Sequence, residues 1–275
     1  MSGIRFFCDR DVNYFFHMLS VAGVGYDNDY GRSYRDRYPV SELGILKKYE
    51  HDLVMRGGEH EGAVFWIGMY AGEAQEAIDK IEQDGGFEGF EQYNDELLDI
   101  LGVLQRNYDN YCSEIWPGEE KILSEKIKEW QTAFDAENVS GRADRLLGID
   151  REETFCPSLV RSVGGGSEAI IYAIDDKEVC DVFNCEKDLS AALCFIGHEY
   201  VVFLLLSVIG DELDISLYDA FEGLAEFYSE QLFGRSDTFS RQREFTDMYR
   251  EKMSVRTYTP KELFRMGAEK IRKGK

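Results

Sequence analysis

Basic residues are in short supply in this chain. Its 275 residues carry 31 Lys and Arg against 53 Asp and Glu, a formal net charge of -22. A surface of that sign repels phosphate backbones and anionic lipid, which argues against nucleic acid and membrane surfaces as partners. It suits cations and basic partners instead. An apolar leader is also missing, because the opening Met-Ser-Gly-Ile-Arg-Phe-Phe-Cys-Asp-Arg meets charge at once. The expectation is a cytoplasmic protein. Internal repeats and low-complexity tracts are absent. The glycine run Gly164-Gly165-Gly166 lacks the lysine of a phosphate-binding loop, no G-x-G-x-x-G opens a helix, and no G-x-S-x-G elbow occurs. Nucleotide binding and serine-hydrolase chemistry therefore have no motif behind them.

Cysteines are few and unpatterned. Cys8, Cys112, Cys156, Cys180, Cys185 and Cys194 read as reduced thiols in a chain without an export signal. Cys180 and Cys185 are spaced C-x4-C, and no second pair completes a four-cysteine zinc site. Hydrophobic residues, by contrast, make up 44% of the chain, enough for a sizeable core. The charge is uneven: residues 241–275 hold 11 basic and 5 acidic side chains, although the chain as a whole is strongly acidic. A basic C-terminal helix that closes on the acidic body accounts for this, with an acidic partner as the other reading.

Periodicity sorts the chain into helices, a small sheet, and helices again. Helices are predicted over 11–22, 42–55, 61–81, 90–111 and 121–134, with Phe65, Trp66, Met69 and Tyr70 as the buried face of the third. The Gly-Tyr-Asp-Asn-Asp-Tyr-Gly cluster at 25–31 reads as a turn. After about Gly148 the pattern changes: 155–163 and 168–174 are β-like, and 177–183 pairs with the latter as a hairpin across Asp175-Asp176. Helices follow at 189–209, 215–233, 240–253 and 260–272. The fold class is α+β: a mostly helical N-terminal region (1–148), then a small mixed sheet and a zincin-like helix pair (149–275), expected to form a single compact unit.

Residues 189–209 form the most apolar segment, long enough to span a bilayer. Its centre nevertheless carries His198 and Glu199, which are costly at mid-membrane, so a buried core helix is the better reading. Burying such groups requires partners or a metal. Phe195-Ile196-Gly197-His198-Glu199-Tyr200-Val201-Val202 has the form of a zinc-protease helix, and Ala220-Phe221-Glu222-Gly223-Leu224-Ala225-Glu226-Phe227-Tyr228 places Glu222 24 residues after His198.

On those residues the chain resembles the gluzincin superfamily of zinc metallopeptidases, over about 189–233. The resemblance implies His198 and Glu222 as zinc ligands, Glu199 as the base that polarises a metal-bound water, and Glu226 as the acid that holds His198 by hydrogen bond. It also implies a peptide substrate laid along an edge strand. One position departs from the pattern. The second histidine of the HExxH motif should stand at 202, where this chain has Val202, which ligates nothing. Cys194, one helical turn before His198, is the candidate replacement; Tyr200 and Tyr228 are candidate oxyanion donors or plain packing residues. The expected function is peptide hydrolysis impaired by the missing ligand, or else a pseudo-peptidase that binds peptide or protein. The remaining reading is a helical interaction protein whose His198 and Glu199 pair with the next helix. His60-Glu61 begins the same way, but position 84 is Asp84 in a glycine turn, so no second helix answers it. His17, inside Tyr-Phe-Phe-His-Met-Leu, reads as a satisfied core histidine.

Overall fold

The computed structural model describes residues 3–25, 28–53, 71–87, 91–149, 152–163, 167–175, 178–235 and 239–274. Helix α1 (Arg10–Ala22) begins where Asp9 accepts the amides of Asp11 and Val12, and stops where Gly23 turns left-handed at φ 71. The cluster read as a turn contains a short helix instead, α2 (Asp29–Tyr34), because the Asn28 side chain caps it by accepting from Gly31 N. Next come α3 (Val40–Lys48), α4 (Glu50–Leu53) and α5 (Ala74–Asp84). Of the predicted helix over 61–81 only residues from 71 on are described, and there the chain turns at 71–73 and the helix starts after Glu73 and runs to Asp84; Phe65, Trp66, Met69, Tyr70 and the His60-Glu61 pair lie outside the described residues.

Helix α6 (Asn94–Glu114) abuts α7 (Trp116–Glu137), which is longer than the predicted 121–134 and has a proline in its first turn. Asn138 adopts left-handed φ 49 and turns the chain into α8 (Val139–Leu147), a helix not foreseen in the sequence. Its buried residues Val139, Ala143 and Leu147 are spaced four apart, the stripe of an amphipathic helix.

Three strands follow: β1 (Thr154–Val160), β2 (Ser167–Asp175) and β3 (Glu178–Asn184). β2 and β3 form the predicted antiparallel hairpin, and β1 pairs with β3 in parallel, so the order is β1-β3-β2. Residues 3–7 run along the other edge of β1, with Arg5 N donating to Phe155 O at 3.0 Å and Leu159 N to Phe7 O at 2.9 Å. Gln131 of α7 secures that segment by accepting from Phe6 N and donating to Ile4 O, each at 3.0 Å.

The sheet separates two cores. Alternation along the strands sends Leu159 and Phe183 to one side and Val160 and Val182 to the other. Val160 and Val182 join α1, α3, α5 and α6, among them Phe15, Leu46, Ile81 and Leu104. Leu159 and Phe183 join Trp130 and Phe134 of α7 and the C-terminal helices α9 (Leu189–Ile209), α10 (Tyr218–Phe233), α11 (Arg243–Val255) and α12 (Pro260–Gly274). This is a mostly helical α+β fold, with α7 and α8 packed on the C-terminal side of the sheet.

Within Leu189–Glu212 the apolar 18-residue window has mean hydropathy 2.1, and 56% of that window is buried within the protein. The basic C-terminal segment docks on the body: α12 buries Leu263 and Phe264, and Glu212 pairs with Lys261 at 3.0 Å and Arg265 at 2.5 Å.

Candidate functional site

His198 lies in the middle of α9, whose first turn is capped by Asp188 accepting from Ala191 N at 2.9 Å. Helix α10 packs against α9 and carries Glu222 near its start. The two side chains meet: His198 Nε2 is 3.4 Å from Glu222 Oε2, with side-chain exposures of 14% and 20%. The other ring nitrogen, Nδ1, lies 3.1 Å from Ser229 Oγ. Ser229 is fully buried, and its hydroxyl donates to Ala225 O at 2.8 Å, one turn back along α10. The imidazole face is covered by Phe239, stacked at 5.8 Å between centroids and 25° between planes.

Glu199 is half-buried beside this pair. Burial pushes its carboxyl up to about 7, with the charge of His198 opposing the rise and that of Glu222 adding to it. Burial pulls His198 down, but the hydrogen bond to Glu222 and the charges of Glu199, Glu222 and Glu226 outweigh it, and the imidazole rises above its ordinary value. The Tyr218 hydroxyl hydrogen-bonds Glu222 one turn away and is raised chiefly by burial. Tyr218 is 49% exposed, so the cluster reaches the surface there.

Glu226 takes a different place from the one its spacing suggests. Its Oε1 accepts from Arg241 N and its Oε2 from Gln242 N, both at 3.0 Å, and Thr246 Oγ1 lies 3.3 Å from Oε2. It therefore ties down the amides that lead into α11, and the residue of α10 that meets His198 Nδ1 is Ser229 instead. Ser229 and Tyr218 are the residues that sequence reasoning missed. The available signal was helical spacing, since Ser229 stands seven residues after Glu222 and returns to the same face of α10.

The other candidates disperse. Tyr200 is fully buried and donates to Asp144 Oδ1 of α8 at 2.8 Å, away from Glu222. Tyr228 is buried edge-on against Phe227 at 5.1 Å. Cys194 is half-buried with its thiol raised by burial. Val202 is in the core at 8% exposure. Gly164-Gly165-Gly166 and the side chain of Cys180 lie outside the described residues. His17 is satisfied on both nitrogens, with Nδ1 2.8 Å from Tyr30 Oη and Nε2 2.8 Å from Tyr38 Oη. Burial, then Arg37, drives its imidazole down to about 3, so it is neutral.

The donor set can now be judged against zinc, which takes four ligands, three of them from protein in catalytic sites. His198 and Glu222 supply two donors, Val202 none, and Glu226 is engaged with backbone amides. Among the described residues no group of three or more His, Cys, Asp or Glu side chains converges as a metal site requires. The residues present do not fit zinc. What they make is an acid–base cluster: an imidazole between a carboxylate and a serine hydroxyl, with a carboxyl that titrates near neutrality beside it. No protein-family model matches the chain, and no curated protein or solved structure matches it either.

Proposed function

We propose that this protein is a gluzincin-type relative that keeps the helix pair of the peptidase site without its metal set, and that it acts as a peptide-binding pseudo-peptidase. The observation that carries the reading is the meeting of His198 and Glu222 across α9 and α10 at 3.4 Å, at the 24-residue spacing of the family's ligand pair. A buried histidine needs a polar partner in any core, and here that partner stands at the family's spacing.

Two further features support peptide binding. β2 is the last strand in the sheet order, and an extended segment adds to such an edge through main-chain hydrogen bonds. The body is strongly acidic, which favours a basic segment. Fluorescence anisotropy with a panel of extended Lys/Arg-rich and Asp/Glu-rich peptides tests this, with mass spectrometry of the same mixtures for cleavage products. Saturable binding of basic peptides, with no product and no effect of a chelator, is the expected result. Cleavage that a chelator abolishes would establish a working zinc peptidase instead, and absence of any binding would remove the peptide reading.

A further inference from the structure

The other core holds an imidazole that the helix pair does not use. His17 of α1 stands among tyrosines, its ring centroid 5.6 Å from Tyr30, 5.6 Å from Tyr38 and 5.0 Å from Tyr111. Both nitrogens meet phenols, Nδ1 that of Tyr30 and Nε2 that of Tyr38, each at 2.8 Å. The ring is fully buried, with no acid paired to it among the described residues, which keeps it neutral. A neutral imidazole has one N–H and one bare nitrogen, so one of the two tyrosines donates its hydroxyl hydrogen to His17. Oxidation makes a phenol strongly acidic, and the electron leaves readily only where a base takes the proton with it. A packed core has to supply that base itself.

From this cluster a row of rings leads outward. Tyr111 lies 5.0 Å from Tyr14, and Tyr14 lies 5.2 Å from Tyr108, centroid to centroid. Tyr14 and Tyr111 are buried, whereas Tyr108 of α6 is only half-buried. Tyr108 has a proton acceptor of its own, because its hydroxyl donates to Asp11 Oδ1. The Tyr14 hydroxyl is directed at the carbonyl of Leu104, which takes no proton. Groups able to accept a proton therefore stand at the two ends of the row, with His17 inside and Asp11 at the surface.

We propose that the tyrosine bonded to the bare nitrogen of His17 is a one-electron redox site, wired through Tyr111 and Tyr14 to Tyr108 at the surface. The oxidant is a one-electron acceptor such as a peroxyl radical, and the reductant is a hydrogen-atom donor such as ascorbate. The oxidant takes an electron from the phenol and a proton from water, and becomes a hydroperoxide. The phenol O–H bond breaks, its proton passes to His17, and a neutral tyrosyl radical remains. An electron then moves inward from Tyr108, whose proton goes to Asp11, and the inner tyrosyl recovers its proton from His17. Ascorbate returns the electron to Tyr108, Asp11 returns the proton, and the proton that ascorbate sheds restores the one taken from water. The net change is one hydrogen atom carried from ascorbate to the peroxyl radical. His17 is a positioning residue and proton acceptor throughout, and its own oxidation state does not change.

The test is flash oxidation of the full-length protein by photogenerated ruthenium(III) tris-bipyridine, followed by electron paramagnetic resonance and by tyrosyl absorbance. A long-lived neutral tyrosyl radical is expected, formed more slowly in deuterium oxide. Tyr30→Phe and Tyr38→Phe together are expected to remove that signal, and His17→Gln to remove it as well. Tyr108→Phe is expected to keep the yield and slow the decay by ascorbate, which a tyrosine that merely fills space would not do. Each Tyr→Phe change keeps the ring, so these variants are read in a folded protein even where His17→Gln loses stability. A wild type without the long-lived radical, or a signal that survives the double variant, would overturn the redox site. Ascorbate decay unchanged in Tyr108→Phe would overturn the wiring. Each of these outcomes leaves the peptide-binding reading untouched.

Discussion

The carboxylate of Glu226 accepts the backbone amide of Gln242 at 3.0 Å, across a connection that leaves α10 and enters α11. With Arg241 N on the other oxygen, one buried side chain satisfies two amides ahead of a helix. Charge-assisted bonds of this kind are stronger than neutral ones, and their loss leaves two part-buried amides unpaired. Glu226→Ala is expected to lower stability by about 2 to 4 kcal/mol, read as a drop in the denaturant midpoint. Hydrogen exchange should place the loosening at 239–246.

A second sensitive position is Gly31 in α2. A Cβ there would come within 2.2 Å of Ser20 O, a backbone atom of α1 that cannot swing aside. Gly31→Ala is expected to separate α2 from α1 at a cost of about 3 kcal/mol, at the upper end for an overpacked core. Gly44, where an added Cβ meets nothing within 4 Å, is the matched control: Gly44→Ala should be neutral or slightly stabilising.

Acid should loosen the C-terminal helix first at Glu212. Its hydrogen bonds from Arg265 and Lys261 depress its carboxyl from the ordinary 4.5 to about 2. A depressed acid lends stability that is fully present above pH 4.5 and is lost as pH falls toward 2. Limited proteolysis between those values should release α12 earlier in wild type than at neutral pH, and Glu212→Gln should flatten that dependence. Added salt should weaken the effect, because the pair is at the surface.

Glu199 works in the opposite sense. Its folded-state value near 7 lies above the ordinary 4.5, so the native state retains a proton that the unfolded chain gives up. Its contribution is present below pH 4.5 and declines as pH rises through about 7. Glu199→Gln cannot ionise and should therefore gain about 1 to 3 kcal/mol over wild type at pH 8 relative to pH 4, measured by paired denaturation curves.

Some of this was legible from the chain alone. Periodicity and punctuation placed α1 from Asp11 to Ala22, α9 from Leu189 to Ile209 and the β2–β3 hairpin, because those elements are governed by contacts close in sequence. The 24-residue spacing of His198 and Glu222, read through the gluzincin resemblance as a pair of zinc ligands, falls on two side chains that do meet. Other features were hidden. α2 was masked by residues typical of turns, and its existence depends on one side chain, Asn28, acting as a cap. The parallel pairing of β1 with β3 joins strands with another strand between them in the chain, a choice that no local signal expresses.

The amino-acid sequence by itself determined the helical and strand segments, the acidic body and the presence of an imidazole and carboxylates on neighbouring helices. Tertiary structure alone decided what those groups do to one another. Spacing is compatible with either Glu226 or Ser229 beside His198, and the choice was made by a third element, the turn into α11, which claims Glu226 with two amides 15 and 16 residues further on. Hydrogen bonds have direction and a finite number of donors, so which partner a side chain takes depends on every element packed around it.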